Sequence, residues 1–328
     1  MVTMDAGLSG GAFVTDAAIS GGLAFLVGEL EKRDEKLHEP LTSVTWAQDI
    51  PIRSGGGFVD NVSTFDVSYA TSGGSNEGIM GGATNDLPIM QADIGKTLVR
   101  TFTWGHVLKV PYIDQQKLSQ IGRSLDDILS NGIQLAYDKT LDQSTYRGFP
   151  QHGSYGLVNS PMIMSYMAAA GAGGSTRWAN KTPDEILVDV NRLISLTWSQ
   201  SEYDLSGMAN HILLPIPQYE ALVSRKVGVT GDKSILTFLL ENNIGRDQGV
   251  TLAIKPRRWC TGAGVGGTDR MVGYANNIDR VRFDMTVPIN RILTQVSAEQ
   301  LAYLTPYVAQ WSEINWIYTQ HAAYVDGI

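Results

Sequence analysis

Cysteine is nearly absent. Cys260 is the one thiol in 328 residues, which excludes an internal disulfide framework and a cysteine-based zinc cluster and fits synthesis in a reducing cytosol. Charge is scarce too: Asp, Glu, Lys and Arg make up 18% of the chain, where soluble domains usually carry roughly 25%. Less of this surface is built to meet water. The charge that is present leans acidic, with 25 basic against 33 acidic residues and a formal net of −8. That balance argues against a dedicated nucleic-acid binder, which neutralises phosphates with clustered Lys and Arg. The amino terminus carries Asp5 and no Lys or Arg before its first apolar residues, so no secretory signal is expected. The longest weakly polar run, Met162 to Gly173, is about a dozen residues of mostly Met, Ala and Gly, whereas a bilayer span needs ~20. No membrane association is expected.

Patterns that carry chemistry are missing as well. The five histidines, His38, His106, His152, His211 and His321, are scattered, without the H-E-x-x-H spacing that puts two ligands on one helix face. Gly262 to Gly267 matches G-x-G-x-x-G in letters. A dinucleotide fingerprint, however, needs a strand before the motif and a helix opening at its last glycine, and neither is predicted here. No Walker-type phosphate loop is present. The carboxylate pairs Asp126-Asp127 and Asp184-Glu185 fall at predicted helix starts, where the helix dipole already accounts for them. Cys260 beside Trp259 reads as packing. No catalytic residue, cofactor or metal is expected, and the Asn61-Val62-Ser63 and Asn180-Lys181-Thr182 sequons have no meaning in a chain that is not secreted.

What the chain does have is glycine, 35 residues, and aromatics, including 7 Trp and 13 Tyr. With little charge, that composition suits a surface largely covered by other protein, since interface cores gain aromatics and lose charge. A Gly-rich start becomes a charged helical segment, Glu29 to His38, stopped by Pro40. From Thr42 to Trp104 no helical period holds. Short β-like pieces, Ser43 to Trp46, Phe65 to Tyr69 and Thr97 to Trp104, are separated by glycines such as Gly55-Gly56-Gly57 and Gly73-Gly74, and so long a stretch is expected to form a projecting hairpin. Ser124 and Asp127 open a long amphipathic helix that runs to Tyr146 and is ended by Gly148 and Pro150. Thr182-Pro183-Asp184-Glu185 starts another helix, with a cap, a first-turn proline and two carboxylates at its positive end. Helices over Pro217 to Arg225 and Ser234 to Glu241, and strands over His211 to Leu214, Thr251 to Ile254, Met271 to Tyr274 and Val281 to Val287, imply a mixed layered domain. The aromatic tail Gln300 to Ile328 is expected to be strand-rich and buried.

The order of these parts, with Gly78 to Pro88 ending in Asp86-Leu87-Pro88, Tyr155 to Pro161 after the long helix, Ile212-Leu213-Leu214-Pro215 before a helix and the terminal Ala322-Ala323-Tyr324-Val325-Asp326-Gly327, resembles the major capsid proteins of tailed bacteriophages with the Hong Kong 97 fold. The resemblance covers nearly the whole chain. It implies an α+β subunit with an amino-terminal arm (1–41), an extended β-hairpin loop with flanking strands (42–105), a peripheral domain holding a long spine helix (106–155 and 278–328) and an axial domain (156–277), the carboxyl end returning to the axial domain. It also implies a homo-oligomer of pentamers and hexamers in an icosahedral virion shell around double-stranded DNA, with a portal, a separate scaffolding protein and a decoration protein as partners. Lys96 is the only lysine between Thr42 and Arg100, so no covalent intersubunit link is expected. Arg53, Phe58, Phe65 and Tyr69 in the extended segment, with Arg257 and Arg258, are the expected contacts to a neighbouring subunit; the basic pair could instead touch DNA nonspecifically or simply be solvated. An encapsulin-like nanocompartment shell shares the implied fold, and a cytosolic α/β enzyme using the Gly262 loop is the alternative of a different class.

Overall fold

The computed structural model describes residues 43–72, 89–120, 125–228 and 233–328, and from Val44 onward these belong to one unit, Val44–Ile328. The expected arm over 1–41, the Gly73-Gly74 and Gly78 to Pro88 segments, the Ser124 cap and the side chains of Asp126 and Asp127 lie outside the described residues. A short helix, α1 (Trp46–Asp49), leads to β1 (Ile52–Ser54) and two long strands, β2 (Asn61–Ser72) and β3 (Ile89–Pro111). Helices α2 (Tyr112–Gln120) and α3 (Leu125–Tyr146) follow, then β4 (Met164–Met167), α4 (Pro183–Gln200) and β5 (His211–Leu214). Next come α5 (Ile216–Ser224), α6 (Ile235–Glu241), α7 (Ile244–Asp247), β6 (Ala253–Pro256) and β7 (Arg270–Tyr274). The chain ends in strands: β8 (Val281–Met285), β9 (Val287–Arg291), β10 (Gln295–Ser297), β11 (Ala302–Ser312), β12 (Ile314–Trp316) and β13 (Ala322–Asp326). The α+β expectation holds, as does the strand-rich, largely buried tail. None of the described helices is long and apolar enough to cross a membrane.

Two predicted strands differ. Ser43 to Trp46 does not pair with a strand. The Thr45 N–H donates to Asp142 at 3.0 Å and Trp46 packs on Phe283, with ring centroids 5.9 Å apart, so tertiary contacts replace a ladder and the chain turns into α1. The Val281 to Val287 strand breaks at Thr286, whose hydroxyl is held by Gln310. Before the break β8 lies between β1 and β12; after it β9 pairs with β11.

Helix α4 is specified locally. Thr182 and Glu185 form a reciprocal capping box with Pro183 in the first turn, which satisfies two backbone N–H groups that a helix start otherwise leaves open. Its buried face, Ile186, Val190, Leu193 and Ile194, covers a five-stranded sheet in the order β4-β13-β7-β5-β6. The three inner strands of that sheet, β13, β7 and β5, are buried on both sides. Ile212, Leu214, Met271, Ala323 and Val325 join the core under α4, while Leu213, Val272, Tyr274, Ala322 and Tyr324 join the core under α3. Alternate residues of one strand thus serve two cores, which is why these strands read as continuous apolar runs.

The linker after α3 explains its own sequence. The N–H groups of Leu157 and Val158 donate to the carbonyls of Thr145 and Tyr146 at 2.9 and 3.0 Å, and Asn159 Nδ2 donates to the Arg147 carbonyl at 2.9 Å. The last carbonyls of the helix are thereby satisfied. A side chain at Gly156 would stand 2.3 Å from the backbone carbon of Tyr146, so only glycine lets the linker lie this close.

The remaining sheet carries the hairpin. Strand β3 is 23 residues long. Its second half, Thr101 to Pro111, pairs with β11 inside the sheet, and its first half, Ile89 to Arg100, pairs only with β2.

Candidate assembly surface

The β2–β3 hairpin is built from alternation. Residues on one pleat face repeat every second position, and cross-strand partners share a face. At its base Val62 and Val99 face each other and are buried. Beyond them the faces separate. On one, Phe65, Val67 and Tyr69 of β2 stand opposite Lys96, Ile94 and Ala92, with Leu98 and Met90 at the two ends. Phe65, Val67, Tyr69, Met90, Ile94 and Leu98 are between 53% and 71% exposed. The other face is polar along most of its length: Thr64, Asp66 and Ser68 oppose Thr97, Gly95 and Asp93, and the Thr97 hydroxyl donates to Asp66 at 3.0 Å. A two-stranded ribbon gains little stability alone, and an exposed, mostly apolar face, interrupted by Lys96 beside Phe65, marks a contact surface.

The base is tied down by side chains from other elements. Asn315 Nδ2 of β12 and Arg282 Nη2 of β8 donate to the Thr64 hydroxyl at 2.9 and 3.3 Å. Phe102 packs edge-on against Phe149 at 5.7 Å, and Arg100 donates to the His152 carbonyl at 3.2 Å, joining β3 to the turn that ends α3.

The segment that precedes the hairpin enters a buried ionic cluster. The Asp49 carboxylate, fully buried, accepts from Arg257 Nη2 at 2.7 Å, from Arg257 Nε, from the Tyr146 hydroxyl, and from His211 Nε2 at 3.3 Å. Lys255 Nζ stands 3.6 Å away, and the Tyr274 hydroxyl donates to the Asp49 carbonyl. Burial would push the carboxyl up, but the hydrogen bonds from His211, Arg257 and Tyr146 and the Arg257 charge outweigh it and hold its pKa at about 2. Burial and the Asp49 charge together push the Tyr146 phenol and the Cys260 thiol far above their ordinary values, so Cys260 stays a neutral packing group. Asp142 makes a second node. It accepts from Thr45 N at 3.0 Å, Trp259 Nε1 at 2.7 Å and Arg258 Nη2 at 3.2 Å. Together the nodes bind the segment before the hairpin to the end of α3 and to the turn after β6.

The sequence-predicted contact residues fall in different places. Phe58, Phe65 and Tyr69 are exposed. Arg53 is partly exposed and donates to Asp284 at 2.5 Å. Arg258 is half exposed and stacks over Trp259 at 4.5 Å. Arg257 is a correction: buried and chelated by Asp49 of its own chain, it is neither a solvated charge nor a group available to a neighbour. Burial beside an opposite charge, which no local pattern signals, separates it from Arg258. The Gly262 to Gly267 stretch holds one 3-10 turn, Val265–Gly267, and runs into β7, so no helix opens there to receive a phosphate. Among the described residues no group of His, Cys, Asp or Glu could hold a metal. Sequence reasoning passed over Ile292, Leu293, Val296 and Leu301, all exposed around β10. Their apolar spacing was the available signal.

The fold is shared with solved capsids. The capsid of Myoviridae phage XM1 matches with a TM-score of 0.76 at 16% identity, over 92% of this chain and 98% of that one. The capsid of a native GTA particle matches at 0.63 and 8% identity, over 90% and 94%. Microbacterium phage Oxtober96 matches at 0.59 and 12% identity, over 96% and 99%. No curated protein matches the chain. A family model described as major capsid protein matches residues 76–328, well over half of the length, and on that match the chain belongs to the major capsid protein family.

Proposed function

We propose that the chain builds the icosahedral shell of a tailed bacteriophage from pentamers and hexamers of itself, around packaged double-stranded DNA, and that the apolar hairpin face is covered by the adjacent subunit. The observation that carries this is the single face on which Phe65, Val67, Tyr69, Met90, Ile94 and Leu98 all stand open. Burying such a face offsets the cost of association, and backbone and side-chain contacts along an extended ribbon suit a neighbour's surface. Residues 1–41 serve as the arm, 42–105 as the extended loop, 106–155 and 278–328 as the peripheral domain with α3 as spine, and 156–277 as the axial domain. Pairing of β13 with β4 and β7 supports a carboxyl end that returns to the axial part. The protein acts without catalysis, is made in the host cytoplasm and ends in the virion, with a separate scaffolding protein, a portal and a decoration protein as partners and DNA touched nonspecifically. The family match favours this over an encapsulin-like compartment and over a cytosolic α/β enzyme.

Electron microscopy of the chain produced with and without its neighbouring genes tests the reading. Closed shells with five- and six-fold capsomers are expected when a scaffold is supplied. A monodisperse monomer under both conditions contradicts it.

A further inference from the structure

We propose that Gln310 is the positioning residue that fixes the direction in which the β2–β3 hairpin leaves its sheet, by latching Val59 to β11. This rests on the reading of the hairpin as the contact to a neighbouring copy. Gln310 lies in β11 and is 5% exposed. Its Oε1 accepts from the Val59 N–H at 3.0 Å and the Thr286 hydroxyl at 2.9 Å. Its Nε2 donates to the Val59 carbonyl at 2.9 Å and to the hydroxyls of Thr103 and Thr101 at 3.2 and 3.4 Å. One side-chain amide thus supplies both bonds that a neighbouring strand would give a residue, and it gives them to Val59, which belongs to no strand. The Thr101 hydroxyl, itself an acceptor from Gln310 Nε2, also donates to the Val59 and Asp60 carbonyls at 2.6 and 2.9 Å, but the Val59 N–H is held by Gln310.

The chain on either side makes that latch matter. Immediately upstream Gly55, Gly56 and Gly57 have φ of +109°, +116° and +72°, with no atom within 4 Å of where a Cβ would stand. Three exposed glycines in a left-handed conformation give the chain slack. Downstream, among the described residues, the bonds from Asn315 and Arg282 to Thr64 are the last side-chain ties from β2 to strands other than β3, and beyond them β2 pairs only with β3. Strand β3 continues unbroken into the sheet and cannot slide. A tilt of the hairpin must therefore be taken up on the β2 side, where freeing the Val59 N–H leaves that residue held at its carbonyl by Thr101 alone and lets the glycines turn.

Hydrogen exchange of the full unassembled chain, paired with electron microscopy of its shells, tests the latch in the variant Gln310→Met, which keeps length and removes both donor and acceptors. Loss of two bonds at one residue is expected to speed exchange over residues 58–64 about tenfold, with α4 and β5 unchanged, and to yield open or irregularly curved particles. Unchanged exchange over 58–64, or equal acceleration throughout with a lower melting temperature, overturns the proposal. So do regular shells from a variant whose 58–64 exchange has risen. The variant Gly56→Ala/Gly57→Ala keeps every Gln310 contact in the sheet and strains only the latched backbone; the same local rise is expected, and its absence overturns the proposal even where Gln310→Met fails to fold. Regular shells from a chain stripped of its apolar hairpin face would strike the underlying reading of the hairpin and leave the exchange result standing by itself.

Discussion

Replacing Phe65, Ile94 and Leu98 with serine is expected to abolish shell formation while leaving the melting temperature of the unassembled subunit within a degree or two, because surface substitutions usually change stability by under ~0.5 kcal/mol. All three side chains are more than half exposed and share one pleat face. In the subunit they mostly face water, and beyond the Lys96 ammonium 5.9 Å from the Phe65 ring centroid their removal takes away little packing. In a shell each buried apolar side chain contributes about 1.5–3 kcal/mol, and each loss recurs at every equivalent contact that symmetry generates. The paired control is Asp66→Ser with Asp93→Ser on the opposite face, for which shells are expected to survive. Sedimentation and thermal melting of both triple and double variants read the outcome. Normal shell yield from the apolar variant, or a collapse in melting temperature, contradicts this account.

Asp49→Asn is expected to act on the subunit itself. The substitution leaves Arg257 buried without its counter-charge. Breaking one partner of a buried pair costs about 3–5 kcal/mol, a large fraction of an ordinary domain's stability. The same residue sets an acid limit. Its folded pKa of about 2 lies below the unfolded value of roughly 3.9. Ionised Asp49 therefore stabilises the fold fully above about pH 4, and that contribution, of order 2 kcal/mol, is lost as pH falls toward 2. Urea unfolding at a series of pH values checks both parts. The wild-type midpoint should fall across that window, and the Asn variant should start lower and lose less there. Equal midpoints at pH 7, or parallel acid curves, would show that the cluster does not hold the segment.

How much could be read beforehand depended on whether the signal was local. The α4 start was written in Thr182-Pro183-Asp184-Glu185, and the hairpin face in the alternation of Phe65, Val67 and Tyr69, because caps and pleats are short-range. Asp49 carried no comparable mark. Its partners Tyr146 and Arg257 lie 97 and 208 residues away, and only the fold brings them together. Arg257 and Arg258 look alike in sequence, yet one is buried against Asp49 and the other stacks, half exposed, over Trp259. Gln310 was likewise invisible, since a glutamine in a strand announces a role only when both ends of its amide meet one residue's backbone. Ser43 to Trp46 misled for the same reason: Asp142, far along the chain, takes the N–H that a strand would have paired.

Hydroxyl-radical footprinting of assembled shells against free subunits is the most direct measurement. If adjacent copies cover the hairpin, oxidation of Phe65, Tyr69 and Met90 should drop severalfold on assembly, while exposed Tyr203, far from the hairpin in sequence, keeps its reactivity. Equal oxidation of the three hairpin residues in shells and subunits would mean that their apolar face stays wet, and that these subunits are held together by something else.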